Sequence, residues 1–251
     1  MRVAYLDTHA GEGRYALGPT GEWTEGIGRL WDADTAADDP LGRYVALCRR
    51  LGEGTARPVE YPGSPAFARA VLGPTATLDL WEVDPTASER LRRHVGGDPH
   101  VRLACEDGLA ALDGAVRAAE RRTSDAVVVL VDPAYTRKAD WIAVPDALAH
   151  AVAASTRATF VLWYPVKSLT RPNAMIARLA TAGVAGTVAE VVTTPLDERR
   201  NRLNGSGMLL VRPPAGAIDS LAAVAATIGA RCATTPDRWS VRVQAWPGRR
   251  I

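Results

Sequence analysis

The chain has 251 residues, a formal net charge of +2, 47 % apolar residues and 23 % charged residues, which excludes disorder and any overall field for a polyanion. Cys48, Cys105 and Cys232 are widely spaced and form neither a zinc pattern nor a disulfide framework, as suits a reducing cytoplasm. No run of 18 uninterrupted apolar residues occurs and the opening MRVAYLDTHAGEG turns polar at once, so a cytoplasmic protein without membrane contact is expected.

Short β-type runs alternate with alanine-rich segments of helical period. Strands are expected at 3–7, 77–82, 101–104, 126–131, 159–164, 187–192 and 208–211. Helices are expected at 64–72, 86–94, 109–121, 143–154 and 173–182. Continuous apolar strands separated by helices imply an α/β, Rossmann-like fold, a mainly parallel seven-stranded sheet covered on both faces. Its last strand is antiparallel, because TTPLDERRNRLNGSG carries no helical period; the final pair reads as a hairpin closing the sheet edge. About 70 residues separate the first strand from the second, too many for one crossover. Residues 16–60 are therefore expected to form a helical insertion subdomain within a single domain, 1–251. Ser64 and Pro65 read as the N-cap and first position of the helix that resumes the crossover.

YLDTHAGEGRYA places Asp7 at the end of the first strand and Gly11 and Gly13 in the turn after it, where glycine lets backbone approach a ligand. Gly11-x-Gly13-x-x-Ala16 also matches a dinucleotide fingerprint. That fingerprint needs a ribose-binding acid at the end of the next strand. Asp32 and Asp34 lie near the right distance, but no strand precedes them. Glu82, in LDLWEVDP, does end the second strand and can accept both ribose hydroxyls of an adenosine. Asp7 can face a cationic methionyl group. S-adenosyl-L-methionine is thereby favoured over a nicotinamide, with helix capping by Glu82 and Asp84 as the alternative. In ACEDGLAAL, Asp107 and Gly108 can read an adenine through a side chain and a backbone N–H, or simply cap a helix. Asp7, Glu82, Asp107 and Asp132 each end a successive strand, at the edge where open α/β sheets bind ligands.

In VLVDPAYTRKADW an apolar strand stops on Asp132, Pro133, Ala134 and Tyr135. Aspartate–proline–x–aromatic at that position resembles the catalytic signature of amino-methyltransferases; an Asp-Pro turn is the plain alternative. An adenine amine is a poor nucleophile because its lone pair is delocalised into the ring. Asp132 and the Pro133 carbonyl can accept its two hydrogens, positioning it and stabilising the developing charge. Pro133 fixes the carbonyl's direction, and Tyr135 can stack on an extruded base, worth roughly 1–3 kcal/mol.

YLDTHAGEGRYALG, TGEWTEGI, YPGSPAFARAVL, LWEVDP, DPAY, LWYPV and SGMLLVRPP occur in order over nearly the whole chain. In these stretches the chain resembles the RlmJ family of bacterial methyltransferases, which methylate N6 of one adenine in 23S ribosomal RNA. The resemblance implies a class I S-adenosylmethionine-dependent methyltransferase fold. It also implies cofactor contacts from His9, Ser64, Glu82, Asp107, Gly108 and Asp132, with Asp132 as catalytic acceptor. Two features depart from the family. Its members carry a segment like YRHxFHAGNxxDxxKH before the first strand, which has no counterpart here, and their DPPY is DPAY, with Ala134 relaxing the loop. A catalytically weak or silent RNA- or cofactor-binding relic, or an amino-methyltransferase for another nucleic acid, are the alternatives these departures leave.

The implied partner is 23S ribosomal RNA, protein-free or in an early assembly intermediate, and a monomer is the expected state. No metal is expected, since a sulfonium methyl is already activated and His94, His100 and His150 lack ligand spacing. Arg199, Arg200 and Arg202, with Asn201 and Asn204, are expected to meet phosphates from the loop between the last two strands. Trp163, Tyr164 and Pro165 end the fifth strand and either pack there or help enclose the base.

Overall fold

The computed structural model describes residues 1–33, 39–52, 57–122, 124–198 and 202–247. The chain runs β1 (Val3–Asp7), β2 (Arg14–Ala16), a 3-10 turn (Glu22–Thr24), α1 (Ile27–Leu30), α2 (Pro40–Leu51), β3 (Glu60–Pro62) and α3 (Ser64–Leu72). It continues through β4 (Thr77–Trp81), α4 (Pro85–Val95), β5 (Val101–Ala104), α5 (Gly108–Arg121), β6 (Ala126–Val131) and α6 (Asp140–Ala153). It closes with β7 (Thr159–Val166), α7 (Thr170–Thr181), β8 (Gly186–Val192), β9 (Gly205–Val211), α8 (Ala217–Cys232) and β10 (Ser240–Trp246).

Eight strands join in one sheet, ordered β10-β8-β9-β7-β6-β1-β4-β5. The strands β5, β4, β1, β6 and β7 pair in parallel, whereas β9 is antiparallel to both β7 and β8 and β10 is antiparallel to β8. From β1 the chain builds outward through β4 and β5, then returns to β6 on the other side of β1. The strand order thus reverses between β1 and β6, and ligands in such sheets bind at the carboxyl ends beside that reversal.

The β-branched run AVVVLV of β6 suits a pleated strand covered on both faces. One face buries Leu6, Val129, Phe160 and Leu162 against Leu112 and Val116 of α5 and Leu148 of α6. The other sets Tyr5, Leu78 and Leu80 against Ala68 of α3 and Leu91 of α4. A third cluster joins Ile27, Leu30, Leu41 and Val45 of the segment after β1 to Cys232 of α8. That segment leaves at β2 and returns at β3, and the two pair antiparallel, Arg14 opposite Pro62.

Three expectations are corrected. The sheet has eight strands, not seven: α8 and β10 follow the last strand legible by pattern. The pair β8 and β9 does not close the edge; β9 slots between β7 and β8, so its apolar GSGMLLV is interior and β10 takes the edge. At α3 the N-cap is Gly63, with Ser64 inside the helix and its hydroxyl turned to Asp7. Among the described residues no helix is long and apolar enough to cross a membrane.

Candidate active site

The loop after β1 is organised by Asp7. Its carboxylate is fully buried and accepts from the hydroxyls of Tyr5 at 2.9 Å and Ser64 at 2.6 Å, and from the His9 amide at 3.2 Å. Burial still holds its pKa above the ordinary carboxylate value, against the three donors. Asp7 was expected to face a cationic ligand; with no exposed surface and three donors it instead ties β1 to α3. Gly11 and Gly13 carry the backbone through φ of +62° and +80°, which side chains rarely adopt. The Gly13 carbonyl accepts from Gly63 at 2.8 Å, and Ala10 donates to the Trp81 carbonyl at 2.8 Å. The loop is thus fastened to both α3 and β4.

Glu82, one residue beyond β4, accepts from the Gly11 amide at 2.9 Å and the Asp84 amide at 2.8 Å. Asp107 caps α5 through the amides of Leu109 and Ala110 at 2.9 and 3.4 Å. Gly108 lies so close to the loop that an added Cβ would stand 2.7 Å from Thr8 Cα and 2.8 Å from Trp81 Cβ. His9 sits among these acids. Burial lowers its pKa, while Glu82, Asp107 and Asp140 pull the other way. Its Nδ1 meets the Thr8 hydroxyl at 2.7 Å. Carboxylates at the ends of the adjacent strands β4 and β5, beside glycine backbone, fit an adenosine group: each ionised carboxylate retains lone pairs after its backbone contacts.

Across the strand-order reversal, β6 ends and Asp132 follows. It is exposed, and its carboxylate has no hydrogen-bond partner among the described residues. Surrounding protein, with Asp7 nearby, pushes its pKa up to about 6. Pro133 is buried and Ala134 exposed. Tyr135 takes the left-handed backbone at φ +50°, and such strain collects at functional sites. Its ring is buried and lies 4.4 Å from Trp141 and 6.4 Å from Trp163, centroid to centroid, with its hydroxyl 3.6 Å from Met175 Sδ. The expected base-stacking face is thus turned to Trp141 in this structure. Asp140 secures the loop, accepting from the Arg137 amide at 3.0 Å and Nε at 3.1 Å. Sequence reasoning missed Asp140 and Trp141; an Arg and an Asp three residues apart ahead of a helical run were the available signal.

Of the residues expected to meet RNA, Arg202 is exposed and has no carboxylate partner among the described residues. Arg199, Arg200 and Asn201 lie outside the described residues, as does Asp34. Asn204 corrects the reading: it is buried, and its Nδ2 donates to the carbonyls of Thr194 at 3.3 Å and Pro195 at 3.0 Å. Its amide nitrogen braces the connection between β8 and β9 and is not left to donate to a phosphate. Tyr164 is likewise core, donating to buried Glu190 at 2.7 Å.

Residues 1–244 match the family model described as "Ribosomal RNA large subunit methyltransferase D, RlmJ". The chain is 31 % identical over 215 residues to the ribosomal RNA large subunit methyltransferase J of Haemophilus influenzae, covering 84 % of this chain and 75 % of the relative. It is 33 % identical over 216 residues to the protein of the same name from Escherichia coli, with the same coverages. Among solved structures, protein LPL1258 from Legionella pneumophila superposes with a TM-score of 0.84 at 23 % identity, over 97 % of this chain and 88 % of that one, a likeness of fold. A match over nearly every residue, together with acids at the strand ends of a methyltransferase sheet, makes this chain a member of the RlmJ family of ribosomal RNA large-subunit methyltransferases.

Proposed function

We propose that the protein transfers a methyl group from S-adenosyl-L-methionine to N6 of an adenine in 23S ribosomal RNA, acting in the cytoplasm as a monomer on RNA free of ribosomal proteins or early in assembly. The observation that carries this reading is Asp132: an unpartnered carboxylate at the strand-order reversal with its pKa raised to about 6, the kind of perturbed group that marks reactive sites.

Glu82 would hold the ribose hydroxyls, Asp107 and the Gly108 amide would read the adenine, and the Gly11–Gly13 turn would hold the methionyl part. His9 sits beside that end, largely neutral at pH 7 because burial lowers its pKa. When bound, the cofactor supplies a methyl group already activated on a sulfonium. Asp132 and the Pro133 carbonyl accept the two hydrogens of the target amine, which turns its lone pair out of the ring plane. The surplus proton leaves the nitrogen as the new bond forms, and a carboxylate with a pKa near 6 can take it and release it to water. A base inside a duplex is out of reach of this edge, so the adenosine is extruded. For Tyr135 to stack on that base, its ring has to leave Trp141. Ala134 keeps the Pro133 carbonyl but loosens the turn.

The test is transfer of labelled methyl to protein-free 23S ribosomal RNA, comparing the parent with Asp132→Ala after digestion to nucleosides. Label in N6-methyladenosine, lost in the variant, supports the reading. Label in another nucleoside, or equal label in the variant, overturns it.

A further inference from the structure

A cleft of about 840 Å³ opens beside the site just described. Its floor is the carboxyl edge of the sheet beyond β7, where Lys167 follows β7 and Arg202 precedes β9. Its far wall is the segment after β1, with Glu22, Glu25 and Tyr44. We infer that this cleft binds an unpaired nucleotide adjacent to the target adenosine, its phosphates on Lys167 and Arg202 and its base against Tyr44. The inference rests on the proposed RNA methylation and adds where the neighbouring strand runs.

Position is the first support. Asp132 ends β6, and β9 lies two strands away across β7, a separation of roughly 10 Å. The two regions are joined by tyrosines: the hydroxyls of Tyr44 and Tyr61 meet at 2.9 Å, and Tyr61 lies close enough to Asp132 for that carboxylate to help raise its pKa, after burial. Tyr44 is itself held by Phe67, stacked at 5.7 Å, and α3 carries both Phe67 and Ser64, the partner of Asp7.

Chemistry is the second support. Lys167 and Arg202 are exposed and form no ion pair among the described residues, which leaves both charges for phosphate. Asn204 lines the same cleft. Its Nδ2 is spent on two carbonyls, and its buried Oδ1 has no donor among the described residues. A buried acceptor without a donor is costly, and a base amino group is a donor. Glu22 adds an acceptor on the opposite wall. Cations at one side, acceptors at the other and a half-buried aromatic between them match a nucleotide with its phosphate, base edge and ring.

The experiment measures binding of a 23S ribosomal RNA fragment across a salt series, with methyl transfer recorded in parallel. The parent is compared with a Lys167→Ala/Arg202→Ala double variant and with Arg92→Ala, a control on α4. In the double variant, RNA affinity is expected to fall about tenfold. The slope of log Kd against log salt should flatten by about 1.4, roughly 0.7 for each lost single-strand phosphate contact. Arg92→Ala should keep the parent's slope, and S-adenosylmethionine affinity should be the same in all three. Fragments with an abasic residue immediately 5′ or 3′ of the methylated adenosine complete the set; one of them should bind the parent several-fold more weakly, and Tyr44→Leu should shrink that difference. A double variant with the parent's affinity and slope overturns the cleft as a phosphate site, and two abasic RNAs that bind like intact RNA overturn the base contact. If the parent binds RNA without methylating it, the proposed function falls while the slope still decides the cleft. If it does not bind RNA, both fall.

Discussion

Replacing Asp132 by alanine is expected to move stability and activity in opposite directions. The carboxylate gives up no hydrogen bond when removed, and its pKa stands at about 6 against an ordinary 3.8. At full strength a gap of that size corresponds to about 3 kcal/mol of destabilisation of the ionised form. The side chain is exposed, and solvent screening reduces this to about 1 kcal/mol. The pKa is raised on folding, so the penalty is absent below about pH 4, grows to about pH 6 and is complete above it. For a chain of 251 residues, 1 kcal/mol corresponds to about 2 °C in Tm. Scanning calorimetry should therefore place Asp132→Ala about 2 °C above the parent at pH 7.5 and level with it at pH 4. Methyl transfer should meanwhile drop about 10²–10³-fold, the usual loss for a polar group that stabilises developing charge. A variant that melts below the parent at pH 7.5 would refute the reasoning, because Asp132 would then be a structural anchor and not a strained, poised acceptor.

The same group sets a pH dependence: kcat/KM should fall about tenfold per unit below pH 6 as Asp132 protonates and stops accepting, and a flat profile down to pH 5 would remove it from the chemistry. Gly108→Ala should lower stability by about 2–3 kcal/mol, some 4–6 °C in Tm, because the new Cβ meets Thr8 Cα and Trp81 Cβ, backbone and strand-end atoms that cannot swing aside. A melting temperature equal to the parent's would mean that α5 and the loop after β1 can separate freely. Arg242→Ala strips Glu190 of its charge partner, whose Nε and Nη2 lie 2.7 Å from the buried carboxylate. The expected cost is about 3 kcal/mol, read by urea denaturation; a loss under 1 kcal/mol would mean that Tyr164 alone satisfies Glu190.

The parallel core was legible because four of its five strands announce themselves twice, as an apolar run and by an acid at or just beyond the end, while β7 runs into Lys167. Asp132 and Glu82 illustrate this: strand period locates them, and the topology then brings them to one edge. Asp7 was located at the end of β1, but nothing local says that Ser64, 57 residues away, joins Tyr5 on its carboxylate. The interior place of β9 was illegible for a related reason: the sequence separation of β8 and β9 permits a hairpin, and only the long pairing of β9 with β7 decides that it lies inside. Tyr135 reads as an exposed platform in DPAY, and its inward turn depends on Trp141 and Met175, two partners distant in sequence or hidden on a helix. β10 escaped because SVRVQAW mixes arginine and glutamine with apolar residues, a pattern that edges adopt and that period counting discounts.

That last strand has a bearing on solubility. Without β10, the sheet would end on β8, whose GTVAEVV would present a row of unpaired amides and carbonyls on a mostly apolar strand, a template for pairing with another chain. β10 moves the boundary outward to a strand bearing Arg242 and Gln244, while Trp246 anchors its end by donating to the Val184 carbonyl at 2.9 Å. Seven residues at the periphery thus act as a guard against intermolecular sheet growth, and shortening the chain ahead of Ser240 should reveal itself first as aggregation during expression.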